Sequence, residues 1–265
     1  MKCERIPLGA QGAYLDTYFL ADSPELKAGA CRPAVVVCPG GGYAYTSDRE
    51  AEPIALALCA RGFHACVLRY PCAPARFPAA LRALAEAVAW VRAGAAENHV
   101  DPRQISVCGF LRAGIWRAAL VCFGTHRSSL PKPALPPGHA PGQNGALLPV
   151  ITGGEFAHKG SFDNLLGADA DAARRAEVSL EQHVTQDTPP AFLWHTYTDP
   201  GVPVENTMLF AMALRRAGVP FESHIYSVGG HGLSLANELT ENTAGAGVQA
   251  ECTGWVDLAA GWLRR

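Results

Sequence analysis

Ala34-Val35-Val36-Val37-Cys38-Pro39-Gly40-Gly41-Gly42-Tyr43 is the segment around which the whole chain can be organised. Five apolar residues in a row, closed by a proline and three glycines, suit a parallel strand buried on both faces that ends in a sharp turn. Glycine lets a ligand oxygen come close to backbone N–H groups, so Gly41 and Gly42 are candidates for an oxyanion-binding loop. A tight turn without a ligand is the alternative. A phosphate-binding loop would need a following Gly-Lys-Ser/Thr, which is absent.

Outward from this strand, the chain alternates. Ser47-Asp48-Arg49-Glu50 has the spacing of a capping box, which predicts a helix over 47–61 with Gly62 as its C′ residue. A strand over 64–68 follows. Leu81, Leu84, Val88 and Val91 then recur at helical spacing and predict an amphipathic helix over 77–93. Residues 105–110 read as another buried strand, with a helix starting near Arg112. The proline- and glycine-rich stretch 125–145 reads as a surface excursion. A short strand is expected over 147–151, weakened by Pro149. Residues 152–187 read as an irregular insertion with one helix around 169–180. Order resumes with a strand over 191–195, a helix over 204–216 closed by Gly218 and Pro220, a strand over 221–226 and a helix over 248–263. The alternation implies an α/β fold with a mostly parallel central sheet and helices on both faces, as a single domain over 1–265.

Composition narrows the function. The 265 residues are 49% apolar and 17% charged, with a net charge of -2 and no basic run. That is not the electrostatic footprint of a nucleic-acid binder. Nine cysteines, at 3, 31, 38, 59, 66, 72, 108, 122 and 252, include no C-x-x-C. Neither a disulfide framework nor a metal site is expected, nor any cofactor. Met1-Lys2-Cys3-Glu4-Arg5 leads into no apolar signal region and no apolar run reaches membrane length, so a cytoplasmic chain with no membrane partner is expected.

In open α/β sheets, ligands sit beyond the carboxyl ends of the strands. Besides the glycine turn, three such ends carry notable residues. Asp199, in Thr198-Asp199-Pro200-Gly201, can hold an imidazole in one tautomer, or simply shape a turn. His231, between Gly230 and Gly232, can serve as a general base from its loop, or be a solvated side chain. The order of glycine turn, strand–turn–helix elbow, Asp and His is that of α/β-hydrolases. The elbow itself departs from the pattern. Where G-x-S-x-G is expected, the chain reads Gly109-Phe110-Leu111-Arg112-Ala113, so Leu111 stands at the nucleophile position.

The chain resembles the bacterial acetylxylan-esterase-like members of the α/β-hydrolase superfamily, the feruloyl and acetyl esterase type. The resemblance covers nearly the whole chain. It rests on Cys38 to Tyr43, Ser47 to Glu50, Glu155 to His158, Gly160 to Gly167, Trp194 to Thr196, Val202 to Asn206 and His231 to Leu233. It implies a Ser-Asp-His esterase acting on a small acylated carbohydrate. Asp199 and His231 would be the triad acid and base, Gly41, Gly42 and the Arg112 backbone N–H the oxyanion donors, and Leu111 would replace the serine. A pseudoenzyme that binds an ester or sugar and a peptidase on the same fold are the alternatives.

In that family the elbow reads Gly-Phe-Ser-Ala-Gly-Gly-His-Leu-Ala. If Phe110 to Arg117 is written TTT CTG CGG GCG GGC ATC TGG CG, the same string begun two bases later reads TCT GCG GGC GGG CAT CTG GCG. That translates as Ser-Ala-Gly-Gly-His-Leu-Ala, which points to a local frameshift, in the gene or in its reading. The segment as written also brings Arg112, Trp116 and Arg117 to a helix where the family has small residues. Overpacking of that kind costs about 1–3 kcal/mol, and a buried unpaired arginine adds to it. The codons of 110–117 are expected to shift into the heptapeptide; codons that cannot do so would rule the frameshift out.

Overall fold

The computed structural model describes residues 1–9, 11–110, 145–147 and 150–265, with 145–147 described as backbone only. Among the described residues, eight strands form one sheet: β1 (Lys2–Pro7), β2 (Tyr14–Phe19), β3 (Arg32–Cys38), β4 (His64–Arg69), β5 (Val100–Gly109), β6 (Gly145–Leu147), β7 (Ala191–Thr196) and β8 (Phe221–Tyr226). Their order is β1-β2-β4-β3-β5-β6-β7-β8. The pairings from β4 through β8 are parallel, while β2 pairs antiparallel with both β1 and β4. The sheet is therefore mixed rather than purely parallel. The antiparallel pair was not expected from the sequence. Yet β2 alternates, with Leu15, Thr17 and Phe19 buried, as a strand covered on one face should.

Helices α1 (Glu52–Cys59), α2 (Ala79–Ala93), α3 (Lys159–Leu166), α4 (Ala172–Ala176), α5 (Glu205–Arg216) and α6 (Trp255–Trp262) connect the strands. On one face of the sheet, α2 buries Leu81, Leu84, Val88 and Val91, and α5 buries Phe210 and Leu214. On the other, α1 and α6 bury Ile54, Leu58, Trp255, Val256 and Trp262 against Val35, Val37 and Trp194. Trp194 and Trp255 stack there at 5.0 Å. Each such side chain contributes about 1.5–3 kcal/mol on burial. Gly62 (φ +81) ends α1 as expected, with Gly62 N–H donating to Cys59 O and Phe63 N–H to Leu58 O. Among the described residues, no helix is long and apolar enough to cross a membrane.

Several local expectations need correction. No helix starts at Ser47. Its side chain caps nothing; a 3-10 turn spans Asp48–Glu50, and α1 begins at Glu52, with Pro53 in its first turn. Glu50 does not reach back to Ser47, because its buried carboxylate instead accepts the Gly40 N–H at 2.8 Å. Satisfying a buried backbone donor stabilises more than a solvent-facing cap. The strand expected over 147–151 lies at Gly145–Leu147. The helix expected around 169–180 is confined to α4 and a 3-10 turn at Leu180–Gln182, while α3 was not foreseen. Only Trp255–Trp262 of 248–263 is α-helical, after a 3-10 turn at Ala250–Cys252. The helix expected near Arg112, and the excursion over 125–145 up to 144, lie outside the described residues.

Asn206 holds the segment after β6 to α5. It is fully buried, its Oδ1 accepts from Ile151 and Thr152 N–H, and its Nδ2 donates to Phe156 and Pro203 carbonyls. Asn206→Ala leaves two N–H groups and two carbonyls without partners, and is expected to cost about 2–5 kcal/mol in urea unfolding. Asn206→Asp should also destabilise, because it cannot donate to the carbonyls. A loss below about 1 kcal/mol for the alanine variant would count against this role.

Candidate active site

Because β3, β5, β7 and β8 run parallel, their carboxyl ends share one edge of the sheet, and the loops leaving them meet there. The meeting point is a cavity of about 390 Å³. Its wall includes Gly40, Gly41 and Gly42 after β3, Phe110 after β5, Asp199 after β7 and His231 after β8. Leu111 and Arg112 lie outside the described residues.

The glycine turn is fixed through its carbonyls. Ser47 N–H donates to Gly40 O at 2.7 Å, Ala44 N–H to Gly41 O at 3.1 Å, and Asn164 Nδ2 to Gly42 O at 2.9 Å. Among the described residues, the N–H groups of Gly41 and Gly42 have no acceptor. Gly41 sits at φ +128, and a Cβ there would overlap the Tyr45 carbonyl; at Gly40 it would overlap Glu50 Oε2 and Phe110 O. Only glycine fits both places.

Asp199 is placed by its own turn. Its Oδ1 accepts the Gly201 and Val202 N–H groups at 2.7 and 2.9 Å, and its Oδ2 meets His231 Nδ1 at 2.9 Å. Turn former and imidazole partner are thus one residue. The Asp199 side chain is 6% exposed and that of His231 44%. Gly201 permits the approach, since a Cβ there would sit 3.2 Å from His231 Cγ. The His231 loop is anchored on both sides. Thr196 Oγ1 and Thr198 Oγ1 donate to Gly230 O and Gly229 O, and Trp255 Nε1 donates to Ser234 O.

His195, within the Trp194–Thr196 motif at the end of β7, is buried. Its Nδ1 lies 2.7 Å from Thr207 Oγ1 and its Nε2 3.0 Å from Val202 O. At 3.6 Å from Asp199 Oδ2, Nε2 is too far for a good hydrogen bond and acts on the carboxylate as a nearby polar edge. Burial by itself pushes the Asp199 carboxyl up. The polar approach of His195, the His231 hydrogen bond and charge, and the Val202 N–H outweigh it and hold the carboxyl well below the usual range.

Cys108, Ser161 and Ser47 carry nucleophilic groups on the segments around the cavity. Cys108 is buried in β5, and burial, with the Glu50 charge adding, pushes its thiol up to about 12, so it stays protonated. Ser161 is 1% exposed and its Oγ lies 2.8 Å from His158 Nδ1. Ser47 was assigned to a helix cap; it lines the cavity instead. Sequence reasoning gave no role to His195, His158 or Asn164, and misassigned Glu50. For His195 a signal existed: it stands four residues before Asp199, next to last in an apolar strand.

A sheet of this order, with a glycine turn, a carboxylate and an imidazole at its carboxyl edge, defines an α/β-hydrolase. Two family descriptions match the chain: BD-FAE over residues 21–134 and the prolyl oligopeptidase family over 159–245. The acetyl ester-xyloside bifunctional hydrolase of Caldicellulosiruptor lactoaceticus is 34% identical, with a TM-score of 0.81 covering 98% of this chain and 95% of that one. The carboxylesterase Cest-2923 of Lactobacillus plantarum WCFS1 is 27% identical, with a TM-score of 0.83 over 100% and 97% of the two chains. Endo-1,4-beta-xylanase B of Butyrivibrio fibrisolvens is 34% identical over 214 residues, 78% of this chain and 33% of that protein. The chain spans between a third and a half of the length of the curated relatives it matches. The chain belongs to the α/β-hydrolase superfamily, among its acetylxylan-esterase-like and feruloyl-acetyl-esterase-like members.

The depressed Asp199 carboxyl has a consequence for stability. An unfolded aspartate titrates near about 3.9, so Asp199 contributes in full above about pH 4 and loses its contribution as pH falls toward its folded value. Asp199→Asn is expected to lower stability at pH 7 and to flatten the decline of the urea midpoint between about pH 5 and 2. Identical pH slopes in the two proteins would contradict a depressed carboxyl.

Proposed function

We propose that the chain is built as a single-domain carboxylic-ester hydrolase for acetyl or feruloyl groups on carbohydrate, and that as written it lacks the means to turn over. The reading rests on one observation above the rest: the 2.9 Å contact between His231 Nδ1 and Asp199, in a cavity that also holds the Gly41–Gly42 turn. With Nδ1 on the carboxylate, Nε2 is the nitrogen that would take a proton from an attacking hydroxyl. A serine at position 111 would add to the ester carbonyl. The N–H groups of Gly41, Gly42 and Arg112 would hold the oxyanion, and Asp199 would stabilise the imidazolium. The alcohol then leaves with the proton from His231, and water releases the acid by the same steps. The names of the relatives, one an acetyl ester-xyloside hydrolase and one a xylanase, support an acylated sugar as substrate. The eight described cysteines are all unpaired, which supports a reducing, cytoplasmic setting.

Leu111 carries no hydroxyl. Loss of a triad nucleophile lowers kcat on the order of 10⁶, leaving roughly 10³–10⁴ over water from the remaining site. That favours, as a second reading, a protein that binds an ester or sugar without cleaving it. The match to the prolyl oligopeptidase family over 159–245 keeps amide substrates within the test.

The chain as written and a version with residues 111–117 replaced by Ser-Ala-Gly-Gly-His-Leu-Ala are to be assayed on acetyl esters, feruloyl esters and peptide amides. The replaced version is expected to hydrolyse the esters faster by a factor on the order of 10⁶, and to lose that activity in His231→Ala. Leu111→Ser alone should recover less, because its neighbours stay changed. Serine-type ester turnover by the chain as written, abolished by His231→Ala, would refute its inactivity.

A further inference from the structure

His195 is a buried histidine that no step of the proposed reaction uses. It stands next to last in β7, and its side chain is 2% exposed. Its Nε2 lies 3.0 Å from Val202 O and 3.6 Å from Asp199 Oδ2, and its Nδ1 lies 2.7 Å from Thr207 Oγ1. Of these three oxygens, only that of the Thr207 hydroxyl can donate. A carbonyl and an ionised carboxylate can only accept, so Nε2 must carry a proton. In the neutral ring Nδ1 is then the acceptor, and the Thr207 hydroxyl donates to it. The opposite tautomer would set a buried lone pair against two acceptors and deprive the Val202 carbonyl of this donor.

That proton closes a circuit of contacts around the carboxylate. Val202 N–H donates to Asp199 Oδ1 at 2.9 Å, while Val202 O accepts from His195. Both polar ends of Val202 are therefore tied, one to the acid and one to the strand that carries His195. Thr207 is the third residue of α5 and fully buried, so the helix fixes the far edge of the ring. The line from α5 through His195 to the Asp199 turn ends at His231, whose Nδ1 lies 2.9 Å from Asp199 Oδ2. With both ring nitrogens engaged, His195 acts on this turn and not on a substrate.

We propose that His195 is the positioning residue for Asp199, and that the Thr207 hydroxyl sets its tautomer. The Nε2–H holds the Val202 carbonyl, and through it the turn in which Asp199 faces His231. The positive edge of the same N–H favours the ionised carboxylate. This rests on the reading of Asp199 and His231 as the acid and base of an ester site. It adds that the base is aimed from β7 and α5, not from its own glycine loop alone.

The first test uses the chain as it stands, by NMR. Proton–nitrogen correlation of the His195 ring is expected to place a proton on Nε2; a ring protonated on Nδ1 alone would overturn the proposal. Amide hydrogen exchange then compares Gly201 and Val202 with Val88 and Val91 of α2. In His195→Leu the first pair should exchange about tenfold faster relative to the second, the worth of one hydrogen bond beside a charge. His195→Gln, whose amide nitrogen reaches about as far as Nε2, should restore most of the protection. Thr207→Val should lose part of it and Thr207→Ser none, a comparison that stands even if His195→Leu does not fold. Equal acceleration at both pairs would show support of the fold alone and overturn the positioning role. The second test places His195→Leu and His195→Gln in the version with residues 111–117 replaced. The leucine variant should lower kcat on an acetyl ester about tenfold at unchanged KM, and the glutamine variant should recover it. An unmoved kcat would overturn the proposal and leave the ester site standing. Selective loss of protection at Gly201 and Val202, with no ester turnover in the replaced version, would leave the hold on the Asp199 turn standing and overturn the ester reading.

Discussion

A single carboxylate, that of Asp199, ties the molecule's functional edge together. Two backbone N–H groups of its own turn and the His231 imidazole occupy its oxygens, with His195 close by. Burying a carboxylate is costly, and only this full set of partners makes the ionised form stable there. The consequences spread in three directions. The turn after β7 takes one shape, α5 starts from it, and the loop after β8 is pulled onto the sheet edge. Thr196 at the end of β7 and Thr198 just after it hold that loop's glycine carbonyls, so the strand, Asp199 and His231 are parts of one hydrogen-bonded unit.

Glu50 plays the matching part for the glycine turn. Its carboxylate accepts the Gly40 N–H from ten residues further along the chain. With the carbonyls of Gly40, Gly41 and Gly42 each accepting elsewhere, the turn has little freedom left. In the proposed ester site, preorganised N–H donors would be the largest resource for a developing oxyanion, because they need no rearrangement when charge appears. The α1/α6 side of the core reinforces this. Phe110 packs edge-on against Trp255, whose Nε1 holds Ser234 beyond His231. The end of β5 and the loop carrying His231 thus share one aromatic support.

Elements with strong periodicity or unbroken apolar runs were legible: β3, β4, β7 and β8, and helices α2 and α5, lie within a few residues of where spacing puts them. Weaker signals failed for identifiable reasons. In β1 five of six residues are exposed, so no apolar pattern marks it. In α3, Lys159 and Gly160 stand at the start and mask the short apolar face of Phe162 and Leu165. Glu50 has a capping-box spacing, but competition for its carboxylate was decided by a donor on another segment. Asn164 carries no local pattern at all; it finds Gly42 from 122 residues away.

By itself, the sequence determined the class of fold, the chemical types available at the strand ends and the Leu111 that stands where the resembled family has serine, because each of these is a property of local pattern or residue identity. Tertiary structure alone decided that Asp199, His231 and the glycine turn share one cavity, that Glu50 and Asn164 brace that turn, and that His195 stands between Thr207 and the turn of Asp199. Those relations depend on parallel strands bringing distant loops to the same edge. No spacing along the chain encodes a hydrogen bond whose partners meet only after the sheet has closed.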